Sequence, residues 1–469
     1  MQLYEFLTHH QVEQIHEASL NMLEQVGIEF RYPPALEVLS KGGARVEGER
    51  VYLSPQLVEN QVKKAPAQFT IYARNPDNDV VIGGDNIAFV PGYGAPFVTD
   101  MEKGRREGTL LDFQNFVKLT GASRFQDICS GMVIEPTDVP AERRHAEMIY
   151  TALKYSDKPI MGSAMGDKCA RDSVRMASIL FGNERELAQK PRMISILGSL
   201  TPLSYDDRML GAIMEYARAG QPQLISTLAI AGATSPATMA GTLALQNAEI
   251  LAGIVLTQLV REGTPVVFSG SSSNAEMRSG ALSIGSPEMA INTAATAQMA
   301  RYYNLPSRGG GAVSDAKAPD AQAAYESMMS LLMAQVSGIN FVLHAAGIFE
   351  SYNCMSYEKF VIDDEICGMV KKIKKGYEVN EDTLGLAVIK ETGPGGHFLD
   401  KDHTLKHFRS EFYLPSLSDR DCFDDWQAKG SPLCTQSANQ MFKEILAAYE
   451  APELPEGADR ELRKFIETL

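Results

Sequence analysis

Arg308 is followed by three glycines and then by Ser314, Asp315 and Lys317, which sets a guanidinium beside open backbone at the end of one apolar run. Arginine forks its planar donors onto carboxylates, and Gly309, Gly310 and Gly311 would let a ligand approach the main chain closely. A plainer account is equally open: the glycines relieve crowding, and Arg308 pairs with a neighbouring acid. His344 ends another apolar run and precedes Phe349, Glu350, Tyr352 and Asn353. Its imidazole can donate to a carboxylate while Phe349 or Tyr352 faces a cation, or it is a core histidine bonded to a carbonyl. Tyr93 and Phe97, in PGYGAPF, add two rings. Aromatic faces attract quaternary ammonium groups through the ring quadrupole, although such rings are also ordinary core material. Glu135 and Glu350 are secondary candidates for steadying a cation.

Three of the eight histidines fall within GGHFLDKDHTLKHF. His403 and His407 are four apart and share a helix face, His397 lies upstream, and Asp400 or Asp402 could add a carboxylate, a spacing able to ligate metal. Asp402 also suits the N-cap of a helix starting at His403, with the histidines paired to Glu411 and Asp419. No third nitrogen or sulfur ligand has a fitting spacing, so the expectation is that no metal is held here.

These residues need elements to carry them. A strand-then-helix alternation starts near Ile87. The strand-like runs are Ile87–Gly94, Asp127–Ile134, Pro159–Met165, Arg192–Leu200, Gln223–Gly232, Pro265–Ser272, Ser307–Val313 and Ile339–Gly347. Between them, helical patterns cover 141–155, 167–181, 206–219, 236–261, 287–302 and 319–336, several opening on proline, which the first helical turn tolerates. Eight buried parallel strands with helices fit a (β/α)8 TIM barrel, an open doubly wound sheet being the second choice. In a barrel the candidate residues all lie on the C-terminal face, where active sites form. Residues 1–85 read as an N-terminal α+β extension, with an amphipathic helix over 8–26 and a hairpin in FTIYAR/DVVIGG. Residues 86–350 read as the barrel, and 351–469 as a C-terminal helical segment packing on it, with an ordered loop at 393–399.

Composition narrows the function classes. The chain has 469 residues, 44% hydrophobic and 22% charged, with a formal charge of -15, so a nucleic-acid binder, which needs a basic footprint, is excluded. Six dispersed cysteines without a CxxC indicate reduced thiols, and the first twenty residues do not read as a secretory signal. Residues 243–260 carry Gln246, Asn247, Glu249 and Gln258, poor material for a membrane span. The expected location is the cytoplasm. No P-loop or GxGxxG opens a helix, which removes phosphate, dinucleotide and S-adenosylmethionine readings, and no Asp-x-His-x-x-Gly corrinoid signature is present.

GPGGHFL, the HTLKHFRSEFYLP run, the SDR that follows, Trp426 and, upstream, GGGAVSDAKAPDAQAAYE resemble the trimethylamine methyltransferase family over nearly the whole chain. The resemblance implies a TIM barrel whose mouth receives a separate cobalamin-carrying corrinoid protein, to which a methyl group passes from a methylated amine. Founding members carry pyrrolysine. This chain has no non-standard residue and so resembles the non-pyrrolysine branch, which contains glycine betaine methyltransferases and relatives acting on proline betaine or carnitine-like amines; the loop from Gly311 to Lys317 best matches the missing position. A quaternary nitrogen is already cationic and leaves neutral, so no proton donor is required. The resemblance thus implies in-line displacement by Co(I), giving methyl-cobalt(III) on the partner and, from glycine betaine, dimethylglycine. Under it Arg308 and His344 orient the substrate carboxylate with the backbone of Gly309, Gly310 and Gly311. Tyr93, Phe97, Phe349, Glu350 and Tyr352 surround the ammonium, and His397 and Phe398 lie near the partner's corrinoid. The chain itself would bind no cofactor; a homo-oligomer is left open. Two other classes compete: a non-catalytic betaine-binding protein, and a metal-dependent hydrolase built on the C-terminal histidines.

Overall fold

The computed structural model describes residues 3–469. Seven short strands, Ala88–Phe89, Ile160–Met161, Met193–Gly198, Gln223–Thr227, Val266–Gly270, Ser307–Arg308 and Phe341–Val342, make one parallel sheet. Its two edges are joined through residues 127–130. Cys129 forms a parallel bridge to Ile160, and the Asp127 N–H donates to the Phe89 carbonyl at 2.7 Å. The sheet is therefore the (β/α)8 barrel expected from the alternation, with its strands in chain order. A helix follows every strand. Three of them, Ala141–Tyr155, Asp167–Phe181 and Pro287–Tyr302, have the ends read from the sequence. The helix after the first strand, Leu110–Ala122, has no counterpart in that reading, although Thr109 and Asp112 cap it reciprocally.

The barrel's two ends are closed differently. At the N-terminal end the hairpin Gln68–Ile71/Val80–Gly83 pairs Phe69 with Ile82. Its Ile71, Val80 and Ile82 pack into one buried cluster with Ala88, Ile128, Ile194, Leu224, Val267 and Phe341 from the strand interiors. An apolar plug thus fills that end. At the other end the loops after the first and eighth strands fold into a cap sheet, in which Cys354–Ser356 lies between Ile348–Phe349 and Phe97–Thr99. This extra strand corrects the expectation that only helix follows Glu350. The N-terminal helix His9–Asn21 ends in a π-helical turn, Met22–Val26, and the strand after it, Ile28–Phe30, pairs in parallel with Ser204–Tyr205 of the fourth barrel loop. Helix Met239–Val260 is long and apolar enough for a membrane crossing, yet seventeen of its residues are buried against the barrel and N-terminal elements, which explains its all-round apolar surface.

Beneath the cap lies a buried ion pair. On helix Tyr357–Lys375 the Lys359 ammonium, 1% exposed, bonds the Asp363 carboxylate at 2.7 Å, the Ser327 hydroxyl at 2.8 Å and the Ala312 carbonyl at 2.8 Å. The same Asp363 oxygen accepts the Gly347 N–H at 2.8 Å. Burial pushes the Asp363 carboxyl up and the Lys359 ammonium down, against the mutual attraction that keeps both charged. The pair joins the loops after the seventh and eighth strands to two helices. Farther along, helices Cys434–Ala448 and Ala458–Glu467 pack on the body, whereas from Lys371 to Ser437 no residue is buried.

Breaking one side of a buried pair strands the other charge in low dielectric. Lys359→Met should lower unfolding stability by about 3–5 kcal/mol in denaturant titration, and Lys359→Met/Asp363→Leu should recover most of that loss. A single variant as stable as the wild type would show that the pair does not hold the cap.

Candidate active site at the barrel mouth

Register across the sheet fixes which residues look inward. Ser226 pairs with Ser269, Ser269 with Arg308, and Arg308 with Phe341, an inward member of the plugged interior cluster. Partners in register share a sheet face, so Arg308 and the two serines point into the barrel. The interior is apolar at the plug and turns to serine and arginine toward the mouth.

Arg308 is 2% exposed and forms no salt bridge among the described residues; its Nε is sealed from solvent without a hydrogen-bond partner there. The adjoining Ser269 hydroxyl is also buried and unpartnered. Proteins rarely leave such donors unpaired, and an unpaired buried charge is the more costly case. Burial lowers the arginine pKa, but a guanidinium stays charged. The alternative, in which Arg308 pairs with a neighbouring acid, is not found among the described residues.

His344, at the end of the eighth strand, lies beside it. The Tyr93 backbone N–H donates to His344 Nδ1 at 3.2 Å, so the neutral ring carries its proton on Nε2. Burial first, and then the Arg308 charge, hold this imidazole well below its ordinary pKa. Its ring lies 4.6 Å from that of Tyr352, whose hydroxyl is buried and unpartnered. Burial pushes the Tyr93 and Tyr352 phenols up to about 12, so both stay protonated in the physiological range. The group can therefore donate hydrogen bonds and offer aromatic faces, with no base of suitable pKa.

The backbone at the mouth is strained. His344 (φ 66°), Glu350 (φ 50°), Ser351 (φ 52°) and Tyr352 (φ 74°) all occupy the left-handed region without being glycine. Three of them are consecutive. Asp315 holds the turn: its carboxylate accepts the Ser351 hydroxyl at 2.6 Å and the Ile284 and Gly285 N–H groups at 3.1 and 2.9 Å. Glu326 in turn accepts Ser314 and the Asp315 N–H. Asp315 and Ser314 are staples of the loops, while Lys317 is exposed and bonds the Asp315 carbonyl.

Several sequence expectations are corrected. Phe97 already has the Arg105 guanidinium 3.6 Å above its ring, and Arg105 bonds Glu350 at 2.9 Å, so neither is free for a ligand cation. Glu135 is paired with Arg144. Phe349 is fully buried in the cap sheet. The glycines serve packing: a Cβ on Gly310 would meet Ala334 at 2.8 Å, and one on Gly311 (φ 132°) would meet the Leu343 carbonyl at 2.5 Å. Ser226, Ser269, Lys359 and Asp363 were missed; the serines' inward positions were readable from period-two alternation in QLIST and VVFSG.

The histidine-rich stretch lies outside this group. Its helix runs Asp402–Glu411 with Lys401, not Asp402, at the N-cap. The His403 and His407 rings lie 4.4 Å apart, tilted by 43°, and converge with Asp382, a third potential ligand that local spacing could not reveal. The Lys406 ammonium already sits 2.6 Å from that Asp382 carboxylate, which supplies the cation from within the chain. His397 pairs with Asp400 at 3.5 Å in the open, and Phe398 is exposed. No ring contact, hydrogen bond or ion pair ties either to Arg308.

Comparison with known proteins bears on the arrangement. The family model described as trimethylamine methyltransferase (MTTB) matches residues 1–468. A glycine betaine methyltransferase of Desulfitobacterium hafniense (strain Y51) is 52% identical over 463 residues, 99% of this chain and 96% of that protein. A proline betaine:corrinoid methyltransferase of Eubacterium limosum is 31% identical over 474 residues, 97% of this chain and 96% of that protein. In fold, the monomethylamine methyltransferase (MtmB) of Methanosarcina barkeri superposes with a TM-score of 0.55 at 9% identity, covering 94% of this chain and 88% of that one.

An uncompensated buried charge makes a sharp prediction. Arg308→Met keeps the bulk and removes the charge, and should stabilise the ligand-free protein by about 1–4 kcal/mol, seen as a higher midpoint in thermal or denaturant unfolding. A clear loss of stability would mean that Arg308 has partners within the fold.

Proposed function

The chain belongs to the trimethylamine methyltransferase family, and on that premise we propose that it moves a methyl group from a quaternary amine bearing a carboxylate, glycine betaine first, to the Co(I) corrinoid of a separate protein. The observation that carries the reading is the unpaired Arg308 at the mouth, with Tyr93, His344 and Tyr352 around it. A betaine supplies both missing charges. Its carboxylate satisfies the guanidinium, helped by His344 Nε2–H and the Ser269 hydroxyl, and its ammonium lies against the Tyr93 and Tyr352 rings.

The chemistry then asks little of the protein beyond placement. The methyl carbon–nitrogen bond breaks with its electron pair remaining on nitrogen, and the methyl group is taken by the two-electron cobalt nucleophile of the partner. Nitrogen becomes neutral without a proton, which suits a site whose imidazole is neutral and whose phenols stay protonated. Arg308 and His344 orient the donor, while the apolar plug and the cap sheet keep water from competing for the cation. The relative from Eubacterium limosum is named for a corrinoid reaction, which supports leaving the cobalamin on a partner rather than on this chain. The reading places the enzyme in the cytoplasm, where such a partner and reduced cysteines coexist.

The test mixes the protein with a Co(I) corrinoid protein and a panel of glycine betaine, proline betaine, carnitine, choline and trimethylamine, following the cobalt spectrum. Methylation should occur with glycine betaine and be far weaker with choline, which lacks the carboxylate; methylation from none of the amines would overturn the proposal. Arg308→Met should raise KM for the betaine by about a hundredfold, the equivalent of a buried charge-assisted bond. With the His344 pKa below its ordinary 6.5 and the phenols near 12, kcat at saturating partner should be level from about pH 7 to 9. A bell-shaped profile inside that window would require an acid or base that this reading omits.

A further inference from the structure

On the N-terminal side of the seventh strand, helix Pro287–Tyr302 stops where Asn304 turns left-handed (φ 56°), a conformation asparagine tolerates. Two consecutive tyrosines stand at this stop. Helices His9–Asn21 and Pro55–Val62 of the N-terminal extension lie beside them, and a cavity of about 360 Å³ opens between the three elements. Its walls are the Tyr302, Tyr303 and His16 rings and the buried Val58 and Val62. The rings meet at steep angles. Tyr302 and Tyr303 lie 5.2 Å apart at 80°, and the His16 ring lies 5.2 and 5.5 Å from them at 53° and 61°. Rings so inclined form a corner rather than a stack. Polar contacts fix it: the Tyr303 hydroxyl accepts the Asn247 amide at 2.9 Å and lies 2.9 Å from His16 Nδ1. Among the described residues no lysine or arginine lies over the Tyr302 or Tyr303 ring, unlike Phe97 beneath Arg105. A loosely paired carboxylate lines the same cavity, since Glu59 has Lys63 Nζ and His16 Nε2 each only at 3.9 Å. Glu13 and Glu17 add negative charge near Tyr302. Burial holds the His16 pKa below its ordinary value, so the imidazole is neutral in the physiological range and repels no cation.

We propose that this cavity is a second ammonium site, separate from the mouth, which takes a small quaternary methylammonium ion against Tyr302, Tyr303 and His16 with Glu59 as its counter-charge. The chemistry of the walls selects that class. A quaternary ammonium spreads its charge over methyl groups, holds water weakly and has no proton to donate, so π faces and apolar side chains can replace its solvent. Sodium or a primary ammonium would give up firmer hydration and find no ring of acceptors in return. The anionic end of a betaine has no arginine here and meets Glu59, so the cation alone is the ligand. That separates this site from the mouth, where a buried guanidinium demands the carboxylate. Volume agrees, being at the low end of the ~300–1,000 Å³ usual for small-molecule cavities. The inference stands apart from the proposed reaction, because it rests on ring geometry and charge at the other end of the barrel.

Tetramethylammonium chloride is titrated into the full chain and followed by the broadening of its methyl resonance. Saturable binding is expected with a Kd of roughly 0.1–10 mM, and methylammonium should bind at least about tenfold more weakly. Tyr302→Leu, at a position 39% exposed, keeps apolar bulk without a π face and should weaken tetramethylammonium binding by at least about tenfold. Tyr302→Phe keeps the face and should stay within about twofold of the wild type. Glu59→Gln should weaken binding by about threefold or more, with the difference shrinking as salt is raised. Absence of saturable binding overturns the proposal, and so does a Tyr302→Leu variant that binds as the wild type does. If Tyr302→Leu fails to fold, Glu59→Gln decides, and unchanged binding in it overturns the proposal equally. No corrinoid protein and no methyl transfer enter the measurement, so its failure and that of the proposed reaction are separate results.

Discussion

The Lys359–Asp363 pair is the constraint on which the mouth of the barrel depends. One ammonium reaches the carbonyl after the seventh strand, a hydroxyl of the next helix and a carboxylate that in turn holds Gly347, so four segments meet at a point closed to water. Apolar contacts would fill that space but would not set direction. A charged hub with each donor aimed at a different segment fixes the angle at which the strand-seven and strand-eight loops leave the barrel. Arg308 and His344 sit at the ends of those strands, and the left-handed turn at 350–352 lies just beyond. Strain in such a turn persists only where its surroundings over-determine it, and Asp315 and Asp363 supply that from two sides.

The second principle of the site is imbalance. Nearly every charge near the mouth has a protein partner: Glu350 with Arg105, Glu135 with Arg144, Glu326 with the Ser314 hydroxyl. Arg308 does not. The plug below and the cap above hold it at 2% exposure with its Nε sealed, so a ligand of opposite charge would supply the partner that the fold does not. The same desolvation keeps His344 neutral and the two tyrosines protonated. A buried guanidinium with aromatic rings nearby suits a zwitterion better than either ion alone.

Much of this was legible in the sequence, and the pattern of successes is physical. The barrel strands are buried on both faces and therefore read as continuous apolar runs, and helices such as Pro287–Tyr302 announce themselves through a serine cap and an N-terminal proline. Arg308 and His344 stood out because charged and titratable groups are unusual at the ends of such runs. What stayed hidden was pairing across long sequence separations. Nothing local shows that Arg105 covers Phe97, that Asp382 meets His403 and His407, or that Lys359 is buried, since a lysine and an aspartate four apart look like a surface pair on any helix. The choice between the two readings of the glycines stayed open for a related reason: the neighbours of Gly310 and Gly311 are a helix and a carbonyl distant in the chain. Cap strand Cys354–Ser356 was hidden because it is three residues long and one of its two partners, Phe97–Thr99, belongs to the opposite end of the barrel sequence.

The hairpin that plugs the N-terminal end carries a kinetic consequence. With Ile71, Val80 and Ile82 filling one end, access to the barrel interior is left to the capped end, and under the proposed reaction a small donor and a large acceptor share that one route. Once the acceptor protein covers that doorway, nothing the size of an amine passes. Under the proposed reaction the donor therefore enters first, the acceptor second, and the spent amine waits until the acceptor has gone. A closed floor thus turns two independent encounters into a compulsory queue.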